Sequence, residues 1–294
     1  MAFLLAHLSD PHLAPLPKPY WNELIGKRVT GYLNWQRTRR FVHNSTVLAK
    51  IVADLKAHKP DHIAVTGDLA NIALLKEYLQ GRTWLENLGD AQHVSLVPGN
   101  HDAYVRDGMR NAIRQWGAYM SGDDGKIVFP YLRRRRPLAI IGLSTAVATA
   151  PFMATGLLGR EQLTRLADTL TVLERENLFR VLLIHHPPVS AANRHKLLLD
   201  ADELNRVIAK HGVDLLLHGH DHLHMLNWLP GPNGTRVPAV GVPSASTVPG
   251  MSHDDNAYNL YRIDGACGGW TCEAISRGVD AEGAVIEQKR STLS

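Results

Sequence analysis

The chain has 294 residues, of which 45% are hydrophobic, and it carries a formal net charge of +4 with histidine neutral. This apolar content is ordinary for a globular protein and allows a sizeable core. The charge is only mildly basic, so it suits an anionic substrate but does not by itself indicate a nucleic-acid-binding protein. The apolar run at the start is too short for a signal peptide, and no stretch approaches the length of a membrane span, so we expect a cytoplasmic protein.

The first half of the chain alternates short apolar runs with amphipathic stretches. The apolar runs predict strands at residues 3–8, 62–66 and 94–97. The stretches between them have apolar residues at helical spacing and predict helices at 46–58, 74–88 and 107–120. Asn44 or Ser45 can cap the first of these helices.

The second half continues this alternation. Strands are predicted at residues 138–144, 181–184, 215–217, 237–242, 257–262 and 270–275, and helices at 161–176 and 201–211. Strands that alternate with helices indicate an α/β fold. The connections are short and no Pro/Gly/Ser-rich linker divides the chain, so we expect a single domain over residues 1–294.

Two basic segments stand out from the alternation. Residues 15–40, between the first strand and the first helix, form an insertion that is both aromatic and basic and includes Trp21 and Trp35. The second segment is a run of four arginines at positions 133–136. A phosphate or nucleic-acid patch is one interpretation of this run, but we favour a solvated hairpin that leads into the next strand.

Acidic, amide and imidazole side chains follow five of the predicted strands. These side chains are Asp10, His12, Asp68, Asn100, His101, His185, His220 and His222. Because ligands bind outside the carboxyl ends of strands in α/β sheets, we expect these groups to converge on one site. Carboxylate, amide oxygen and imidazole suit hard or borderline divalent ions, and a carboxylate can bridge two such ions. Most other histidines, such as His43, are interpreted as surface or capping residues.

Five short motifs carry a resemblance to a known family. They are Asp10-Pro11-His12, Gly67-Asp68, Gly99-Asn100-His101-Asp102, His185-His186-Pro187 and Gly219-His220-Asp221-His222. In this order, each after an apolar strand, they resemble the motifs of calcineurin-like metallophosphoesterases, and the resemblance extends from residue 3 to about residue 222. It implies a four-layer αββα sandwich with a dinuclear metal site at the carboxyl ends of the strands. It also implies hydrolysis of phosphate monoesters or diesters.

The resemblance assigns seven side chains to metal binding. It implies that one ion is held by Asp10, His12 and His222, the other by Asn100, His185 and His220, and both by Asp68. The implied cofactors are two divalent ions, with manganese or iron expected first and zinc or cobalt as alternatives.

Two further residues are expected to act in the reaction itself. The resemblance implies that His101 contacts the phosphate and protonates the leaving oxygen. We expect Asp102 to orient the His101 ring, as carboxylates often do for imidazoles near metals. The implied nucleophile is a hydroxide activated by the two metals.

The substrate class is less narrowly indicated than the chemistry. The Gly-Asn-His-Asp and His-His-Pro-Pro forms resemble bacterial phosphodiesterases, so we expect a phosphodiesterase whose partner is a phosphodiester or other phosphate ester. The insertion follows directly after His12 and must therefore emerge beside the site. It either packs as a helical flap or forms a lid that meets an acyl chain or a membrane surface.

Three alternatives stay open. If the insertion is a lid that meets an acyl chain or a membrane surface, the protein would be a lipid-linked pyrophosphate or phospholipid hydrolase that is peripheral to the membrane. Such an enzyme would be loosely similar to UDP-2,3-diacylglucosamine hydrolases. A nuclease is less favoured, because no extended basic groove is visible. A non-catalytic scaffold of the same fold is the alternative from another class, although scaffolds usually lack part of the ligand set. The oligomeric state is open, and a homo-oligomer is compatible with the family.

Overall fold

A computed structural model of the protein describes residues 2–190, 193–266 and 268–293. Within these ranges the chain forms two mixed sheets. Their strands are β1 (Phe3–Leu8), β2 (His62–Val65), β3 (Val94–Leu96), β4 (Tyr131–Arg135), β5 (Leu138–Gly142), β6 (Phe179–Leu183), β7 (Leu215–His218), β8 (Met225–Pro230), β9 (Arg236–Gly241), β10 (Tyr258–Asp264), β11 (Thr271–Val279) and β12 (Val285–Thr292).

Helices connect most of the parallel strands. They are α1 (Lys27–Asn34), α2 (Arg40–Val42), α3 (Ser45–Ala57), α4 (Leu75–Leu88), α5 (Gly108–Trp116), α6 (Arg160–Leu173) and α7 (Ala201–His211). A π-helical turn, Trp35–Arg39, joins α1 to α2. Short 3-10 turns occur at Trp21–Glu23, Gly117–Met120, Arg194–Lys196 and Pro232–Gly234. Of the helices in the described ranges, none combines the length and the apolar character needed to cross a membrane.

The sheet topology brings the predicted ligands to one edge. The first sheet has the order β12-β11-β10-β1-β2-β3, and the second has the order β4-β5-β6-β7-β9-β8. Strands β1, β2 and β3 run parallel, as do β5, β6, β7 and β9. The carboxyl ends of the parallel strands of a sheet lie at one edge. Hydrogen bonds from His185 to Thr66 O and from the His220 N–H to Asp10 Oδ2 show that the segments after β6 and β7 meet those after β2 and β1.

The side chains of β6 show how the layers stack. Val181 and Leu183 belong to the core that includes the first sheet, α3 and α4. The alternate residue Leu182, and Ile184 directly after the strand, belong to a second core with α6 and α7. Because successive strand residues point to opposite faces, β6 is buried on both sides. The expected sandwich of two sheets between helical layers is thus confirmed.

The arginine run forms the predicted hairpin but is not solvated throughout. Strand β4 pairs antiparallel with β5. Arg133 is buried, and its guanidinium donates to four backbone carbonyls of residues 91–121 at 2.6–2.7 Å. Arg134 pairs with Glu176 at 2.6 Å and Arg135 with Asp123 at 2.8 Å. Arg133 therefore ties β4 to the loops beneath it.

Candidate functional site

The first group of candidate ligands comes from the ends of β1 and β7. His222 Nε2 lies 3.2 Å from Asp10 Oδ1 and 3.3 Å from His12 Nε2. The other ring nitrogen of His12, Nδ1, donates to the carbonyl of Ala70 at 3.2 Å. The lone pair of His12 Nε2 is therefore turned toward Asp10 and His222. Ligand atoms of these three side chains all lie within 4.8 Å of one another.

The second group joins the ends of β3, β6 and β7. Asn100 Oδ1 lies 3.2 Å from His185 Nε2 and 2.9 Å from His220 Nδ1. The opposite ring nitrogens donate to backbone carbonyls, His185 to Thr66 at 2.6 Å and His220 to Lys196 at 2.9 Å. These carbonyls fix the two tautomers so that an amide oxygen and two imidazole nitrogens face one another. Such a set is favourable around a cation.

Asp68, at the end of β2, lies between the two groups. Its Oδ2 is 3.8 Å from His12 Nε2 and 3.5 Å from His185 Nε2. Its Oδ1 accepts a hydrogen bond of 2.7 Å from the backbone N–H of His101. A carboxylate in this position can act as a ligand shared by two ions, one in each group of side chains.

The backbone at the site adopts an unusual conformation. Five of the seven predicted ligands have positive φ without being glycine; they are Asp10 (51°), His12 (35°), Asp68 (57°), His220 (71°) and His222 (55°). Each such residue costs about 1–3 kcal/mol and persists only where its surroundings determine it. Here the surroundings include the His220 N–H, which donates to Asp10 Oδ2 at 3.0 Å, and Ser244 Oγ, which donates to Asp10 O at 2.6 Å.

Burial and the close carboxylates shift the ionisation of these groups. Burial lowers the pKa of His12 and of His220 well below the ordinary value, so both rings are neutral. Burial opposes the charge of Asp10, but His222 and His185 hold its pKa below the ordinary value. For His185 the carboxylates of Asp68 and Asp10 outweigh burial and raise the pKa to about 10. A coordinated divalent ion would take the place of the proton on this ring.

The donor set therefore fits two divalent ions. It combines two ionised carboxylates, one amide oxygen and four imidazoles, and backbone carbonyls orient three of those rings. Mixed nitrogen and oxygen ligands of this kind suit manganese, iron, zinc or cobalt.

His101 lies at the mouth of this cluster, where Arg39 meets it. The His101 ring stacks on Tyr104 with 5.3 Å between centroids, and its Nδ1 donates to the carbonyl of Asn71 at 2.5 Å. Arg39 Nη1 lies 3.0 Å from Nε2 and 3.2 Å from Nδ1. Burial, with Arg39 next, lowers the pKa of His101 to about 3. The sequence interpretation did not single out Arg39.

Asp102 is buried close to the site but contacts other groups than expected. Its Oδ2 accepts from the backbone N–H of Asp68 at 2.8 Å and of Gly99 at 2.9 Å, and its Oδ1 accepts from that of Ala70 at 2.9 Å. The expectation that Asp102 orients the His101 ring is therefore wrong. In this irregular turn neighbouring side chains point in different directions, and Asp102 holds the backbone of the turn that carries Asp68.

Two further histidines lie beside the ligands. His43 is buried rather than at the surface, with its ring 4.6 Å from that of His12 and its Nδ1 2.9 Å from Ser246 Oγ. Its position just before a helix cap hid this role in the sequence. The His186 ring lies 4.2 Å from that of His220 at a tilt of 41°, but both of its ring nitrogens bond other groups, the Thr145 hydroxyl and a backbone carbonyl. These bonds support His185 as the ligand of the pair.

The cluster opens into a cavity of about 590 Å³ beneath the insertion. Asn100, His101, Tyr104, Lys27, Arg37, Leu33 and Phe152 are among the residues that line it. The Lys27 ammonium donates to Thr149 Oγ1 at 2.7 Å and to Met153 O at 2.9 Å, which ties the insertion to the opposite wall. The insertion thus lies beside the site, as predicted.

Comparisons with known proteins agree with this architecture. The family model described as calcineurin-like phosphoesterase matches residues 3–224. A search of curated protein sequences found no significant match. Among solved structures, a dimetal phosphatase from Danio rerio superposes with a TM-score of 0.65 at 12% identity, over 99% of this chain and 98% of that one.

Two longer proteins also match in structure. Purple acid phosphatase PPD1 from yellow lupin (Lupinus luteus) seeds has a TM-score of 0.63 at 12% identity, and a 5'-nucleotidase precursor from Thermus thermophilus has a TM-score of 0.50 at 13% identity. Each match covers 99% of this chain but 54% of the other. At these identities the likeness shows the fold alone.

Proposed function

Since the chain belongs to the calcineurin-like phosphoesterase family, we propose that it is a metal-dependent phosphodiesterase. The observation that carries this proposal is the convergence of seven metal-ligand side chains next to a cavity of about 590 Å³. A diester has two organic groups on its phosphorus, and the cavity offers room for one of them beside the ligands. A phosphate monoester would place its single organic group in the same cavity, so the preference for a diester rests on the resemblance of the Gly-Asn-His-Asp and His-His-Pro-Pro forms to those of bacterial phosphodiesterases.

In this proposal the two groups of ligands hold one divalent ion each. The ligands would be Asp10, His12 and His222 for one ion, Asn100, His185 and His220 for the other, and Asp68 for both. When bound, such ions acidify a water molecule and neutralise charge on the phosphate.

The chain's own residues then position the ester. His101 lines the cavity beside Asn100, so it would meet the oxygen of the leaving group. Because His101 Nδ1 is bonded to the carbonyl of Asn71, Nε2 is the atom that would donate the proton. Because Nδ1 already carries a proton, Nε2 can donate one only from the imidazolium form, which the negative charge of a bound phosphate would favour over the neutral ring. Tyr104 stacks on the ring and limits its rotation.

The test compares bis-p-nitrophenyl phosphate with p-nitrophenyl phosphate as substrates of the metal-stripped protein refilled with manganese. We expect manganese-dependent cleavage with a higher kcat/KM for the diester, and loss of that activity in Asn100→Ala. A higher kcat/KM for the monoester would contradict the diester proposal. Bound metal without turnover of either ester would favour the non-catalytic scaffold or a more selective enzyme.

A second candidate function, hydrolysis of a lipid phosphoester, is supported by apolar side chains near the cavity. Trp21 is 88% exposed and Ile25 is 70% exposed on the insertion, and Phe152 on the cavity wall is 85% exposed. Arg37 adds a cation to the same wall. Exposed aromatic and basic residues together suit an anionic lipid surface. Trp35, the other tryptophan of the insertion, is buried and serves packing.

Vesicle binding separates this candidate from the first. If the substrate is a lipid, Trp21→Ser with Ile25→Ser should reduce binding to phosphatidylglycerol vesicles and spare hydrolysis of bis-p-nitrophenyl phosphate. Trp228→Ser, on the edge strand β8, is the matched control. Equal vesicle binding by all three proteins would exclude an interfacial role for the insertion.

A further inference from the structure

The π-helical turn Trp35–Arg39 brings a cation to the mouth of the site. Wide turns of this kind are rare and occur frequently at functional sites. Trp35, at the start of the turn, is buried in the core. Arg39, at its end, has its guanidinium against the His101 ring. The neighbouring Arg40 is exposed and bonds Gln36 Oε1 at 3.0 Å. The turn thus separates two adjacent arginines, one at the site and one in solvent.

The contacts of Arg39 differ from those of two other half-buried arginines. Arg180 and Arg277 pair with carboxylates at 3.2 Å and 2.7 Å. Arg39 instead contacts the imidazole of His101, with its Nη1 3.0 Å from Nε2 and 3.2 Å from Nδ1. The carboxylates that act on Arg39 most strongly are those of Asp68 and Asp10. Both are metal ligands in the proposed function, so their charge would be compensated by the ions.

A partly buried cation without its own anion is costly, and an incoming anion removes this cost. The guanidinium has a planar set of donors that matches the oxygens of a phosphate. In the free protein His101 Nε2 accepts from Arg39 Nη1, since Nδ1 is bonded to Asn71. A phosphate that takes over the Arg39 hydrogen bonds would release Nε2 from this contact.

We propose that Arg39 binds a non-bridging oxygen of the substrate phosphate, opposite the metal ligands, and so makes the insertion part of the phosphate-binding site. This proposal rests on the proposed phosphoesterase function. It assigns the insertion a direct role in substrate binding, whether the organic part of the substrate is small or a lipid.

Inorganic phosphate is the probe that tests Arg39 directly. Its Kd would be measured by calorimetry on the manganese-loaded full chain, together with KM and kcat for bis-p-nitrophenyl phosphate and the metal content. We expect Arg39→Ala to weaken phosphate binding by about 10- to 100-fold, the range for a charge-assisted hydrogen bond, with metal content unchanged. Arg39→Lys should recover part of the affinity, and Arg40→Ala should match the wild type.

Different results would overturn different parts of the account. If the wild type hydrolyses the diester and Arg39→Ala binds phosphate as tightly as the wild type, Arg39 does not bind the phosphate. A lower kcat at unchanged phosphate affinity would overturn the proposal too, because Arg39 would then only position His101. If the wild type binds metal but neither binds phosphate nor hydrolyses esters, the proposed function is wrong, and the proposal for Arg39 is wrong as well. Should Arg39→Ala not fold, Arg39→Gln keeps the length of the side chain for the same comparison.

Discussion

Replacing Asp102 by asparagine tests how the turn that carries Asp68 is held in place. The buried carboxylate accepts three backbone N–H groups, two at Oδ2 from Asp68 and Gly99 and one at Oδ1 from Ala70. In Asp102→Asn the amide oxygen can take the Oδ2 position and keep two of these bonds. The amide nitrogen must then face the N–H of Ala70, so one buried donor loses its acceptor.

The size of the effect follows from counting these donors. A buried N–H without an acceptor costs about 1–3 kcal/mol, so Asp102→Asn should lower the free energy of unfolding by that amount. Asp102→Ala removes all three bonds and should cost about 3–9 kcal/mol, which approaches the whole stability of a typical domain of about 5–15 kcal/mol. Asparagine is therefore the informative substitution.

Stability and metal affinity are measured separately. Urea unfolding of the metal-free protein gives the free energy of unfolding without the contribution of bound ions. Manganese titration then gives the affinity, which should fall by about 10- to 100-fold because the backbone that places Asp68 is loosened. Asp200→Asn is the matched control, since Asp200 accepts the N–H groups of Leu158 and Gly159 at the start of α6. It should lose stability but keep its metal affinity.

The opposite pattern would refute this reasoning. If Asp102→Asn kept wild-type manganese affinity and lost only kcat, Asp102 would act through His101 and not through the Asp68 turn. A change in the free energy of unfolding below about 0.5 kcal/mol would mean that the three hydrogen bonds are not satisfied by the carboxylate as described.

Further predictions concern a glycine and an arginine. Gly99→Ala should abolish manganese binding in a titration, because a Cβ at this position would overlap the Asp68 carboxylate. The control Gly269→Ala should bind manganese as the wild type does, since nothing lies within 4 Å of its Cβ. Equal binding by both variants would contradict the close packing at Asp68. Arg133→Lys should lower the free energy of unfolding, measured by urea unfolding, by about 2–4 kcal/mol, because an ammonium group cannot donate hydrogen bonds to four carbonyls. Arg134→Lys, in an exposed ion pair, should cost under about 1 kcal/mol, and equal losses would contradict the buried role of Arg133.

The convergence of the candidate ligands could be predicted from the sequence for a physical reason. Each of the residues Asp10, Asp68 and Asn100 follows a strand that is buried and therefore strongly apolar. Burial on both faces gives such strands a clear signal, and the carboxyl ends of parallel strands must share an edge. The position of these side chains in the sequence thus determines that they meet.

The strands that the sequence analysis missed lie at sheet edges. β8 and β12 were not predicted as strands and β4 was interpreted only as part of a solvated hairpin, and each of the three lies at an edge of its sheet. Most side chains of β12 are exposed, and those of β8 alternate between half-buried and exposed over most of its length. An edge strand needs no continuous apolar face and often carries charges, so it lacks the pattern that identifies an inner strand.

The roles of Arg39 and Asp102 depend on tertiary contacts that local sequence does not encode. Arg39 stands in a basic stretch with Arg37 and Arg40, and only the π-helical turn decides which of the three reaches His101. Asp102 follows His101 directly, which suggested a shared role. The turn instead directs the Asp102 carboxylate to the N–H groups of Asp68 and Ala70 on the loop after β2 and to that of Gly99 in its own turn.

The number of metal ions bound per chain tests the central claim most directly. Metal-stripped protein would be saturated with manganese, separated from free ions and analysed for metal and protein, beside Asp68→Ala and the exposed-histidine control His93→Ala. If Asp68 bridges two ions, the wild type and His93→Ala should hold two ions per chain and Asp68→Ala fewer than two at the same free manganese concentration. A wild type that binds one ion or none, or an Asp68→Ala variant that still binds two with unchanged affinity, would contradict the dinuclear site.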